Sequence, residues 1–295
     1  VWVDRDGNET LFDTMEKAFG VVRISPNRVY VAAEAGANLY VFSRRSGIWN
    51  RIAATSATEG APVWAHDSRS LFYTRGGALG RQPVDEGGEW GEWQEILPAE
   101  SRFWATSLSE DGDRILGTAM VQTPEQWQMG SASTAGSGGF EPVLSGDGLT
   151  RRNPVVAPDG RWLAFVEKEG GLDRIYVQPY PDGGEAVLVS EGAVGEAAEP
   201  VWGRRADELF YRDASDIVSV RLETTPDLRV LGRTPLFSVE PYYNYLNSFA
   251  TVYAYDPATD RFLMVKWSIP WPPGTDIHVV EDAFDMLNRL APAGG

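Results

Sequence analysis

NPVVAPDGRWLAFVEKEGGLDRIYVQPYPDGGEAVLVSEG, residues 153–192, decides how this chain is read. Short runs of β-branched and aromatic residues alternate with turn chemistry, which predicts four strands over 154–157, 163–167, 174–179 and 186–190. Pro158-Asp159-Gly160 and Asp182-Gly183-Gly184 supply the turns. Proline fixes φ, while aspartate and glycine accept conformations that strand formers resist.

Working outward, the same order recurs. APVWAHDSRSLFYT (61–74), EPVWGRRADELFYR (199–212) and, more loosely, ATSLSEDGDRILGT (105–118) match its first half. VRISPNRVYVAA (22–33) is a shortened copy and VYAYDPATDRFLMVK (252–266) a late one. Aligned on the second strand, the copies fall at Val29, Leu71, Ile115, Leu163, Leu209 and Phe262, a spacing that suits propeller blades of ~40–50 residues. Six copies predict an all-β, six-bladed propeller of four-stranded blades. Packed radially, such sheets bury each other's faces and leave only short outer edges. The blade cores are placed at 21–52, 60–97, 103–146, 152–192, 199–238 and 248–282 plus 1–12, in one domain of 1–295. VWVDRDGNETLF (1–12) looks like the second half of a repeat lacking its first half, so both terminal segments are expected to close the last blade. Phe284, Leu287 and Leu290 at helical spacing predict a short C-terminal helix.

Composition narrows function by exclusion. With 26 Lys+Arg against 42 Asp+Glu the net charge is −16, and such a surface repels nucleic acid instead of releasing its counterions. The absence of cysteine removes disulfides, thiolate metal sites and thiol nucleophiles. No apolar run approaches the ~20 residues that span a bilayer. The chain starts at Val1 without a signal-like segment, so a cleavage, a truncation or further sequence is expected before it.

The motifs APDGRWLAFVE, IYVQPYP and PVW resemble the repeat of TolB-type, WD-repeat-like propellers. VWVDRDG (1–7), ELFYR (208–212), RFLMVK (261–266) and IHVVEDAFDMLNRL (277–290) resemble most the propellers at the C-terminal end of bacterial serine/threonine kinase-like chains. The resemblance covers nearly the whole chain. It implies the propeller fold, an extracytoplasmic (periplasmic or cell-surface) location, and a kinase and membrane anchor upstream of Val1. The third copy departs from the pattern, having only LSED at its core, and the first lacks Asp-Gly.

Candidate chemistry is sparse. His66 falls in a turn and His278 in a terminal segment, and no Gly-x-Ser-x-Gly accompanies them, so no catalytic residue is assigned. Asp4-Arg5-Asp6-Gly7-Asn8-Glu9 resembles the opening of a calcium loop, but its glycine comes fourth instead of sixth, and a polar hairpin turn is preferred. GSASTAGSGGF (130–140) reads as a flexible connection between outer strands. Residues leading into the innermost strands should face the axis: Glu59, Arg102, Arg152, Asn153, Glu199 and Asn247. With arginines among the acids, ion-pair lining is preferred over a bound metal, and neither a metal nor a cofactor is assigned. Aromatic clusters outside the repeat, Tyr242, Tyr243 and Tyr245 with Trp267 and Trp271, either recognise a partner or plug the channel. Trp90 and Trp93 form a third, smaller cluster.

The reading is a non-enzymatic recognition or scaffolding module, a sensor or interaction portion of a longer bacterial protein. It would bind a protein, peptide or small molecule at the channel mouth through Arg102, Arg152, Asn153, Glu199, Tyr242, Tyr243, Tyr245, Trp267 and Trp271. Two alternatives stay open: a metal-dependent lactonase or hydrolase working in the channel, and the gating propeller of a prolyl-oligopeptidase-type peptidase.

Overall fold

A computed structural model describes residues 1–52, 55–122, 125–144, 150–193, 195–242 and 250–266. They form six four-stranded antiparallel sheets in a ring, each a simple meander. The inner strands Phe19–Ile24, Glu59–Trp64, Phe103–Leu108, Arg151–Val156, Ala197–Trp202 and Ala254–Asp256 define blades 1 to 6. The chain is an all-β, six-bladed propeller.

Closure uses the N-terminus. Blade 6 runs Ala254–Asp256, Arg261–Leu263, then Trp2–Val3 and Glu9–Thr10 at the outside. Trp2 stands opposite Leu263 and Val3 opposite Phe262, and the Val1 backbone nitrogen donates to the Met264 carbonyl at 2.9 Å. Arg5 secures the hairpin. Its guanidinium forks onto Glu208 of blade 5 at 2.7 and 2.8 Å, while its Nε donates to Asp260. The Asp4 carboxylate caps this hairpin by accepting from the amides of Asp6 and Asn8, so 4–9 is the polar turn expected. The segment 277–282, expected to share in the closing blade, and the helix bearing Phe284, Leu287 and Leu290 lie outside the described residues.

Among the described residues the buried side chains fall into six clusters, one at each seam between neighbouring blades. Strand alternation explains this. In blade 3, Phe103 and Ala119 face blade 2, whereas Leu116 and Met129 face blade 4. Each fully buried Phe or Leu contributes about 1.5–3 kcal/mol, so no blade needs a core of its own. The repeat's tryptophan adds a second tie across the seam. Trp64 Nε1 donates to the Arg23 carbonyl at 3.2 Å and Trp202 Nε1 to the Val155 carbonyl at 2.9 Å, joining adjacent inner strands at equivalent places.

Two details correct the sequence reading. In the first copy Ile24 pairs with Val31 as Trp64 pairs with Leu71, so Val31, not Val29, is the equivalent residue. Arg28 (φ 62°) takes the left-handed turn position that Gly160 (φ 69°) fills in the fourth copy, and the second strand starts later. Gly130–Ser133, read as linker, closes the third strand Glu125–Ser133 of blade 3. A Cβ on Gly130 would sit 2.3 Å from the Phe140 ring, so glycine is there for close packing and not for flexibility.

Candidate functional site

Each inner strand of blades 1 to 5 carries a bulge near its start. In blades 2, 4 and 5 the bulged residue is Ala61, Asn153 or Glu199, with φ of 52°, 54° and 62°, and a proline follows. Proline is tolerated in these strands because a bulge interrupts the ladder that would need its N–H. The bulge also turns a backbone N–H out of its own sheet, and a polar side chain of the preceding blade accepts it. Glu34 Oε1 accepts from Ala61 at 2.5 Å and Thr118 Oγ1 from Asn153 at 3.0 Å. The Glu199 carboxylate takes the Val252 amide of blade 6 in the same way.

Between blades 5, 6 and 1 this produces a charged lattice around the axis. Glu199 is fully buried. Arg212 donates to its two oxygens at 3.1 and 3.2 Å, and the Tyr253 hydroxyl donates to its backbone carbonyl at 2.9 Å. Desolvation pushes the Glu199 carboxyl above its ordinary range, with Arg212 opposing it. Glu34 is raised for the same reason, against the Ala61 amide and Arg23. Arg23 donates to the Val22 and Thr251 carbonyls, both at 2.8 Å. It keeps some surface open, but blades pack around it, and desolvation lowers its guanidinium to about 10 against the pull of Glu34 and Glu199.

The sector at blades 3 and 4 differs. Arg152 is buried and ion-paired with Asp173, yet its Nε and Asp173 Oδ1 have no hydrogen-bond partner. Burial lowers the Arg152 pKa, with Glu196 opposing. Asn153 is 2% exposed and its Oδ1 is also unpartnered. Arg102, left-handed at φ 41°, stands exposed just before the blade 3 inner strand, and its guanidinium has no hydrogen bond or ion pair among the described residues.

The expected residues therefore do not converge on one point. Glu199 belongs to the lattice of blades 5, 6 and 1, whereas Arg102 and Asn153 lie on blades 3 and 4 and Arg152 is on the face of blade 4 turned toward blade 5. Glu59 turns into the blade 1–2 seam, where its carboxylate accepts from the Leu39 amide and the Thr55 hydroxyl. Tyr242 is 3% exposed and packs edge-on against Phe237, and its hydroxyl donates to Glu9 at 2.8 Å. Both its ring and its hydroxyl are engaged within the molecule, so it leaves the set expected to meet a ligand. Tyr243, Tyr245, Asn247, Trp267, Trp271 and His278 lie outside the described residues. Trp90 packs on Tyr30 and Trp64, and Trp93 lies under the Arg75 guanidinium. His66 Nε2 is 2.8 Å from the Ser109 carbonyl, a contact between the turns of neighbouring blades.

Sequence reading missed Arg23, Glu34, Arg212 and Tyr253. Glu34, Thr118 and Arg212 occupy one repeat position, three residues after Val31, Ile115 and Leu209. A polar residue recurring in an otherwise apolar strand was the available signal. Among the described residues no three His, Asp or Glu side chains are grouped to hold a metal. An apolar cleft of about 330 Å³ lies off the axis between blades 6 and 1, lined by Phe12, Met15, Phe19, Trp49 and Met264 among others. It adjoins Lys266, where the described chain ends, and contains none of the ionisable groups of the lattice.

No protein-family model and no curated protein matches the chain. Solved structures do. A protein assigned as TolB from Agrobacterium tumefaciens is 17% identical, with a TM-score of 0.62 over 86% of this chain and 91% of that one. TolB from Acinetobacter baumannii is 14% identical, with a TM-score of 0.51 over 85% and 64%. An oligogalacturonate lyase in complex with manganese is 13% identical, with a TM-score of 0.55 over 86% and 79%. The fold is that of TolB-type propellers. No helix among the described residues is long and apolar enough to cross a membrane.

Proposed function

We propose that this propeller is a non-enzymatic recognition module that binds its ligand at the channel mouth, on the side where the inner strands begin. One observation carries the reading: the mouth is divided into a sector whose charges are locked and a sector that keeps polar atoms unused. Glu199, Arg212, Arg23, Glu34 and Tyr253 are held by each other and by backbone groups, which suits a frame and not a general acid or base awaiting substrate. Arg102, Arg152 and Asn153 carry the unengaged donors and acceptor, the condition for contacting something else.

The motifs shared with kinase-linked propellers support a place in a longer bacterial protein, outside the cytoplasm, as its sensor or interaction portion. The test is a thermal-shift screen of the purified chain against peptides, small molecules and glycans, with Arg102→Ala as the control. Ligands that raise the melting temperature of the parent and not of the variant are expected, with no turnover of esters, lactones or oligouronides. A second reading, catalysis in the channel, is favoured by the likeness to the oligogalacturonate lyase and by the raised Glu199 carboxyl. Turnover that scales with protein and disappears in Glu199→Gln would replace the first reading with the second.

A further inference from the structure

The inner strands of blades 1 and 2 end at Ile24 and Trp64, and the turns that follow lie on the face of the ring opposite the mouth. The Asn27 amide donates to the Ser68 hydroxyl at 2.9 Å and pins the two turns together. Both residues border a polar crevice of about 530 Å³, which Tyr30 also lines. Tyr30 is 7% exposed and its ring stacks on Trp64, yet its hydroxyl has no hydrogen bond among the described residues. A hydroxyl so placed is costly unless something else bonds to it. It sits at the 85–89 turn of blade 2, 3.2 Å from where a Cβ on Gly88 would stand. Two carboxylates line the same crevice, each with one oxygen engaged and one free. Asp67 Oδ1 accepts from the Arg69 amide at 2.8 Å and Asp85 Oδ1 from the Glu89 amide at 2.9 Å, while neither Oδ2 has a partner among the described residues. The cations of the crevice are turned to Glu86: Arg69 is ion-paired with it at 2.6 Å, and Arg45 donates to its carbonyl at 3.2 Å.

We infer that this crevice binds a primary alkylammonium group, brought by a free amine or by the lysine side chain of a partner. It is a second site, remote from the mouth and independent of the ligand proposed there. An ammonium carries three diverging N–H donors, and the crevice offers three separate acceptors in Asp67 Oδ2, Asp85 Oδ2 and Tyr30 Oη. A guanidinium is held best as a fork on both oxygens of one carboxylate, and here each aspartate has only one oxygen to give. An anion would face both aspartates while the arginines are turned away to Glu86. A metal ion would need Glu86 as its third carboxylate, but Arg69 holds it, and among the described residues no three His, Asp or Glu side chains are grouped for a metal. The net charge of −16 adds a long-range pull on any cation.

The experiment is calorimetric titration of the whole chain at low salt with three probes: the diamine cadaverine, its fully methylated bis-quaternary analogue, and lysine capped at its backbone amine and carboxyl. The quaternary analogue keeps the charge without the N–H donors and should bind about tenfold more weakly than cadaverine. Asp67→Asn and Asp85→Asn should each weaken cadaverine by about tenfold, in the range of one charged hydrogen bond, and Tyr30→Phe by about threefold. The asparagines keep the oxygen that accepts the turn amide, so their melting temperatures should match the parent and the fold is not at risk. Asp182→Asn, which removes an exposed charge on blade 4, should change nothing. Tighter binding of cadaverine than of capped lysine would mark a free amine as the ligand, and the reverse order a partner's side chain. Equal affinity for the quaternary analogue, an equal loss in Asp182→Asn, or no binding of either primary amine would overturn the inference and leave the mouth-binding reading as it stands.

Discussion

Glu199 and Asn153 occupy the same place in neighbouring repeats and lead different lives. Both begin a bulge, both have positive φ, and both precede a proline. Glu199 is bonded by Arg212, by the Val252 amide and, through its carbonyl, by Tyr253, so blades 5 and 6 are knitted together around it. Asn153 receives one tie, from its amide to Thr118, and leaves its side-chain oxygen unused. The repeat thus supplies a rigid backbone device, and the side chain placed on it decides between frame and open site.

The largest effect should come from breaking the frame. Arg212→Ala leaves Glu199 buried without its charged partner and should cost about 3–5 kcal/mol, read from urea unfolding at pH 7. The loss should shrink at pH 5, where the carboxyl takes a proton more readily. Glu199→Gly should be similarly damaging, while Asn153→Gly should be neutral or stabilising by up to about 1 kcal/mol, because it removes an unpaired acceptor and suits a left-handed φ. Comparable losses at the two sites would break the contrast.

Next in size is the seam hydrogen bond of the repeat tryptophan. Trp202→Phe keeps most of the ring and loses the bond to Val155, an expected cost of about 1 kcal/mol. Trp162→Phe, whose Nε1 has no partner, should be milder by the same measurement.

The pH dependence sharpens the comparison further. Glu199 and Glu34 have raised native pKa values, so the native state holds their protons longer than the unfolded chain does. Their stabilising contribution is complete below the unfolded value of 4.5 and is lost as pH rises through the native values. Asp260 behaves oppositely. Hydrogen bonding from Arg5 holds it below its ordinary value of 3.8, so its contribution is lost as pH falls through the native pKa. Denaturation midpoints followed across pH should show Glu199→Gln flattening the high-pH limb and Asp260→Asn the low-pH limb. The smallest effect on stability belongs to Arg102→Ala, within about 0.5 kcal/mol for an exposed unpaired side chain, although it should be prominent in ligand binding.

Strand content, blade number and turn placement were legible because they rest on local chemistry repeated six times. Pro158-Asp159-Gly160 reads as a turn in isolation, and polar turn residues recur at the same point of the other copies even where Asp-Gly is missing. The offset in the first copy was not legible, since Arg28 adopts a glycine-like φ only because the surrounding sheet requires it. Nor was the lattice around Glu199. Arg23, Glu34 and Arg212 come from different blades and look like ordinary strand residues until the ring brings them together. Tyr242 misled for the complementary reason: a tyrosine-rich stretch suggests an exposed surface, while its ring is buried beside Phe237 and its hydroxyl bonds to Glu9, which is distant in sequence.

The clasp at Val1 and Met264 joins residues 263 positions apart, so the first strand of the propeller to be synthesised is the last to find its neighbour. At ~5–20 residues per second, on the order of 10–50 s separate the emergence of Trp2 from that of Leu263. During that interval Trp2 and Val3 present an unpaired apolar edge to the cell. The charged run from Asp4 to Asp6, which later forms the hairpin and the Arg5 fork, lies directly beside it, the placement of charge that opposes association of such an edge with other chains.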